Sequence, residues 1–167
     1  MNPSSSQVRK IAATAHVAAI VGLAYLAVAI VLRAGIAIGA HLFDAQVSVG
    51  ERAASISLVL LALLPAAFLF EAVNRLRQAL RLFSNGEFFS EQSAKHVAQA
   101  GKHATIAMVA MILIVPNLER WLRSRGGFDL RIEPEYFGLL AFALFVTAIG
   151  HVLTLAAQLK AENDAFV

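Results

Sequence analysis

The stretch IAATAHVAAIVGLAYLAVAIVL, residues 11–32, holds no Asp, Glu, Lys or Arg and is bounded by Lys10 and Arg33. A helix rises about 1.5 Å per residue, so about 20 apolar residues cross the ~30 Å hydrocarbon core of a bilayer. This stretch is long enough to do so. Three further uncharged runs follow, at 53–70, 104–118 and 136–159. The run at 104–118 is short, but residues 97–103 extend it if Lys102 carries its charge back to the headgroups on its methylene stem. The expected fold is all-α: a four-helix transmembrane bundle in a single membrane domain covering 1–167, with spans at about 11–32, 53–70, 97–118 and 136–159.

Composition agrees. Only 15% of the 167 residues are charged and 59% are hydrophobic, with a mean hydropathy of +0.69. A soluble domain carries about 25% charged residues, so these charges are too few to cover a water-facing surface. Arg9 and Lys10 before the first run resemble the basic region of a cleaved signal, but a signal's apolar stretch is roughly 7–15 residues. The longer run reads as a retained span. The net charge of +3 gives no concentrated basic face for direct nucleic-acid binding. The absence of cysteine excludes disulfides, thiolate metal sites and cysteine nucleophiles.

Orientation follows from Lys and Arg, which concentrate on the cytoplasmic side. With the N-terminus inside, the inner segments hold Arg9, Lys10, Arg75, Arg77, Arg81, Lys95, Lys102 and Lys160. The outer segments hold fewer: Arg33, Arg52, Arg120, Arg123, Arg125 and Arg131. Both termini are therefore expected in the cytoplasm.

Residues 71–102 then form a cytoplasmic helix-turn-helix-like hairpin between the second and third spans. In 71–83, Val73, Leu76, Leu80 and Phe83 fall on one helical face and Asn74, Arg75, Gln78 and Arg81 on the other. Glu71 is placed to pair with Arg75 one turn on. Pro65 lacks a backbone donor and can kink the second span. Ser84-Asn85-Gly86 stops the helix, with Gly86 able to adopt a left-handed conformation. Ser90 is placed to cap the next helix and Glu91 to meet its positive end. The outer connections alternate polar and apolar residues at 46–49 and 128–133, which predicts short paired strands.

No phosphate-binding loop, dinucleotide fingerprint or hydrolase motif occurs, and no close cluster of His or carboxylates points to a metal. No metal or cofactor is expected. His16, His103 and His151 lie in or beside spans on the same expected side. Ionisable groups in a membrane are functional candidates by default, so two of these could ligate a haem iron in a redox subunit. The alternative is a neutral imidazole bonded to a neighbouring helix. A small exporter is a third class, but no Asp, Glu, Lys or Arg lies mid-span to couple flux to protons. Gly22, Ala27, Ala29, Ala66, Ala67, Ala107, Ala110, Ala141, Ala143 and Gly150 allow close helix approach. They do not distinguish packing within one chain from oligomerisation.

Residues 80–92, LRLFSNGEFFSEQ, and the tail 159–164, LKAEND, resemble signatures of the bacterial domain-of-unknown-function family 2975, whose members are four-span membrane proteins. Gly86, Phe89 and Ser90 match that family's Gly-x-x-Phe-Ser/Thr turn after the second span. Gly101 matches a glycine where the third span begins. Glu162, Asn163 and Asp164 match the Glu-Asn-Asp of its C-terminal motif, whereas Ala165-Phe166 replaces the family's Leu-Thr.

The resemblance implies a protein of the bacterial cytoplasmic membrane. It also implies, by analogy with family members found beside small Cro-like regulators, a partner that is a small soluble helix-turn-helix transcription regulator. The expected role is thus a non-enzymatic interaction or regulatory protein. Its docking or structural residues would be Arg75, Arg77, Arg81, Gly86, Phe89, Ser90, Glu162, Asn163 and Asp164. The acids of the tail would meet basic groups of the partner, or Arg75, Arg77 and Arg81 of the same chain.

Overall fold

The computed structural model describes residues 5–42, 48–123, 126–130 and 133–165. Helix α1 runs Ser5–Leu42 and α2 runs Val49–Ser84. Helix α3, Glu91–Val109, passes through a wide π-helical turn, Ala110–Ile114, into α4, Val115–Leu122. Helix α5 runs Pro134–Ala165. Four rods result (α1, α2, α3 with α4, and α5), each long and apolar enough to cross a membrane.

Helices pack in sequence order. Helix α1 lies on α2, α2 on α3, and α3 on α5. Helices α1 and α5 share no extended interface, but come near each other beside the α2–α3 turn. There Val8 and Leu153 line one apolar cavity together with Phe83, Phe88 and Phe89.

The buried core lies along α3. Ala94, Ala107 and Ala110 are fully covered, and Val97, Ala100, Met108 and Ile112 nearly so. Helix α1 is the opposite case: Val21 is 64% exposed and Tyr25 73%. Apolar patches of more than a few hundred Å² are rare on water-soluble monomers. Apolar rods with so little of their surface covered by protein belong in lipid, and this is a multi-pass membrane protein.

The caps explain where α2 and α3 begin and end. Ser48 Oγ accepts the Glu51 amide at 3.3 Å, while the Ser48 amide donates to Glu51 Oε2 at 3.1 Å, a capping box. At the other end of α2 the Glu87 amide donates to the Leu82 carbonyl and the Gly86 amide to that of Phe83. This pattern needs a left-handed residue, and Gly86 supplies it at φ +91°. Ser90 then caps α3, its Oγ accepting the Ser93 amide at 3.1 Å. The helix-turn-helix geometry expected from 84–91 is present, and α2 runs unbroken through buried Pro65.

Some expectations are corrected. The strands predicted at 46–49 and 128–133 do not form among the described residues. Ser48 and Val49 are the cap and first residue of α2, because the capping box captures that backbone, and 128–130 are irregular. Gln46, Val47, Arg131 and Ile132 lie outside the described residues. The inward face of 71–83 also differs: Ala72 and Ala79 are buried while Leu76 is exposed. Helix α2 is flanked by α1 and α3, and small side chains let both approach. Of the small residues picked out for close packing, Ala107, Ala110, Ala143 and Gly150 are buried, whereas Ala67 and Ala141 are exposed.

The π turn has a local cause. Pro116 cannot donate to the carbonyl four residues back, and its ring would press on it. The chain widens just before it, so the Val115 amide reaches Ala110 O. Asn117 then ties this end to the α4–α5 connection. Its Nδ2 donates to Leu113 O and Asp129 O, both at 2.6 Å, and its Oδ1 accepts the Asp129 amide at 2.9 Å. Asn117→Ala should remove this clamp, at a cost of about 1–3 kcal/mol for the groups left unpaired. Faster hydrogen exchange at the Asp129 amide, with unchanged helix content, is the expected readout.

Candidate functional site

The turn motif and the C-terminal motif come together at one end of the molecule. Phe83 and Phe88 stack at 5.9 Å across the turn, closing its inner side. Ser93, fully buried, donates its hydroxyl to Ser90 O at 2.8 Å, which fixes the first turn of α3 against the loop. Phe89 is thereby left outside, 53% exposed. Together with Glu91 it lines a shallow groove of about 280 Å³ whose other wall is α5, through Ala157, Lys160 and Asp164. Two motifs more than sixty residues apart in sequence therefore form a single surface.

The residues 159–164, read from sequence as a tail, are the last turns of α5, and Glu162, Asn163 and Asp164 are all exposed. The three arginines occupy different settings. Arg75 pairs with Glu71 at 2.7 Å, as the one-turn spacing predicts. Arg77 donates to Asn74 Oδ1, and Arg81 is exposed. Among the described residues no ion pair joins these arginines to Glu162 or Asp164, so the tail acids remain open to solvent.

Sequence reasoning missed the part played by α1. A Cβ built on Gly86 would lie 3.0 Å from the Arg9 guanidinium carbon, so the Arg9 side chain covers the turn. Gly86 is required for its left-handed φ; the guanidinium above it is the end of a flexible side chain and could swing aside for a methyl group. Only the basic character of Arg9 was visible in sequence; nothing there links it to a turn far along the chain.

The three histidines named as haem candidates occupy different settings. His16 Nδ1 lies 3.0 Å from Arg77 O, tying α1 to α2. His103 stacks on Phe68 of α2 with its ring centroid 6.1 Å away. His151 lines a groove between α3 and α5 that neither of the others borders. Among the described residues no group of three or more His, Asp or Glu could hold a metal ion.

The α3–α5 contact that positions the site is very close. A Cβ on Gly101 would run into the Thr147 backbone, and one on Gly150 into the Ala98 backbone. The Thr147 and Thr154 hydroxyls bond back to their own helix at 2.9 Å, so they cross the apolar interface with their donors satisfied.

No curated protein and no solved structure matches the chain. A family model does, over residues 43–167, starting directly after α1 and taking in the turn, Gly101 and the end of α5. With three quarters of its length matched, the chain belongs to DUF2975, a family described as proteins of unknown function.

Proposed function

We propose that this is a non-enzymatic regulatory protein of the bacterial cytoplasmic membrane. Both termini and the α2–α3 turn lie in the cytoplasm, and the end of the molecule built by the turn and the last turns of α5 docks a soluble protein. A small helix-turn-helix transcription regulator is the partner that the family resemblance favours. Membership in DUF2975 establishes the kind of chain, not this role.

The observation that carries the reading is the groove between Phe89 and α5. An exposed aromatic ring stands there beside charges of both signs, Glu91, Lys160 and Asp164. Exposed aromatic anchors rimmed by charge are what protein interfaces select.

A photo-reactive amino acid placed at Phe89, and separately at Trp121 at the opposite end, tests this in the native host. The expected result is a crosslink from position 89 to one soluble protein, lost when Asp164→Lys is added, with none from position 121. Recovery of the chain alone from both positions ends the proposal.

A further inference from the structure

The groove between α3 and α5 adjoins the turn surface, sharing Glu91 with it, and differs from it in chemistry. It is about 540 Å³, open to the side, and graded along its length. At the end nearer the turn it is lined by Glu91, Lys95, Lys102, His151 and Thr154; at the other end by Ile106 and Leu144. Lys95 and Lys102 are seven residues apart on one face of α3, about 10 Å along the axis. Both are exposed, and among the described residues neither has a carboxylate partner. Lys102 is the last charge before the uncharged residues 103–118, so with this helix in a bilayer its ammonium would reach the hydrocarbon boundary and that of Lys95 the headgroups.

We infer that this groove binds one anionic phospholipid of the adjoining leaflet, its phosphate between Lys95 and Lys102 and an acyl chain along Ile106 and Leu144. The order of chemistry along the groove is the order of chemistry along a lipid. Positive charge lies at the depth of the phosphate, and apolar side chains lie at the depth of the chain. Two lysines against the single carboxylate of Glu91 select an anionic headgroup over a zwitterionic one. Basic pockets between spanning helices hold anionic headgroups in this way. The Thr147 and Thr154 hydroxyls are already committed to backbone carbonyls, so the ammonium groups supply the recognition. The site is independent of whether a soluble protein docks at the turn.

Native mass spectrometry of the full chain in mild detergent tests it, with dioleoyl phosphatidylglycerol and dioleoyl phosphatidylcholine titrated separately. The two lipids share their chains and differ in headgroup charge. The expected result is one retained phosphatidylglycerol, bound at least about tenfold tighter than phosphatidylcholine. The double variant Lys95→Gln/Lys102→Gln should lose this preference, while Lys10→Gln, exposed on α1 and away from both grooves, should keep it. Leu144→Trp, which fills the chain end and leaves the charge unchanged, should weaken retention without altering the charge pattern, so the proposal does not rest on the lysine variant alone. Equal binding of the two lipids, or a preference that survives the double substitution, overturns the inference. So does displacement of the lipid by excess inorganic phosphate, which would mean that the lysines hold a bare anion.

Discussion

Replacing Gly150 with alanine is expected to destabilise the protein by about 3 kcal/mol, the upper end of the usual cost of overpacking. The added methyl would enter the space of the Ala98 backbone, its Cβ lying 2.7 Å from the nearest side-chain atom. A backbone cannot rotate away as a side chain can, so the two helices must separate. Gly101→Ala should act alike, because its methyl meets the backbone at Thr147. Helix α5 packs chiefly on α3, so either change loosens the element that carries Lys160 and Asp164. Gly22→Ala is the control: nothing lies within 4 Å of the point where its methyl would stand, and stability should hold or rise slightly. Unfolding in graded sodium dodecyl sulfate, followed by circular dichroism, compares the three. Equal stability of Gly150→Ala and the parent would refute the packing described for α3 and α5.

The second large effect separates lipid from water as the solvent of α1. Val21 is 64% exposed near the middle of the helix. On a protein in water, lysine there would change stability by no more than about 0.5 kcal/mol. In a bilayer, a lysine at mid-span is unfavourable by roughly 2.5–3.5 kcal/mol, and a valine is favourable by a few tenths. Val21→Lys should therefore shift a large share of α1 out of the membrane, while Val21→Leu should not. Protease protection of the flanking residues in inverted vesicles reads the difference. Unchanged protection in the lysine variant would argue that α1 does not face hydrocarbon.

The four rods were legible because uncharged runs are long-range signals that need no partner to interpret. The turn was legible for the opposite reason: Asn85, Gly86 and Ser90 act within a few residues, and their caps formed as spacing requires. What stayed hidden depends on pairs remote in sequence. Arg9 over Gly86, Thr147 against Gly101 and Ala98 against Gly150 have no local signature, although Gly101 and Gly150 stood out as small. The alternation at 46–49 misled because a period of two over four residues is weaker than one serine positioned to cap. The histidines were visible as residues on three spans, but the groups they meet, Arg77 O for His16 and Phe68 for His103, follow from helix order, which composition does not encode.

That order has a consequence for how the protein is made. Each rod rests on the one synthesised before it, and no early helix waits for a distant one to complete its main interface. A nascent chain can therefore add helices one at a time as the ribosome releases them, with little loop-closure entropy to overcome at each step. Only when α5 arrives do Phe89 and Glu91 gain Lys160 and Asp164 as neighbours, so the surface at the turn is completed by the last event of synthesis.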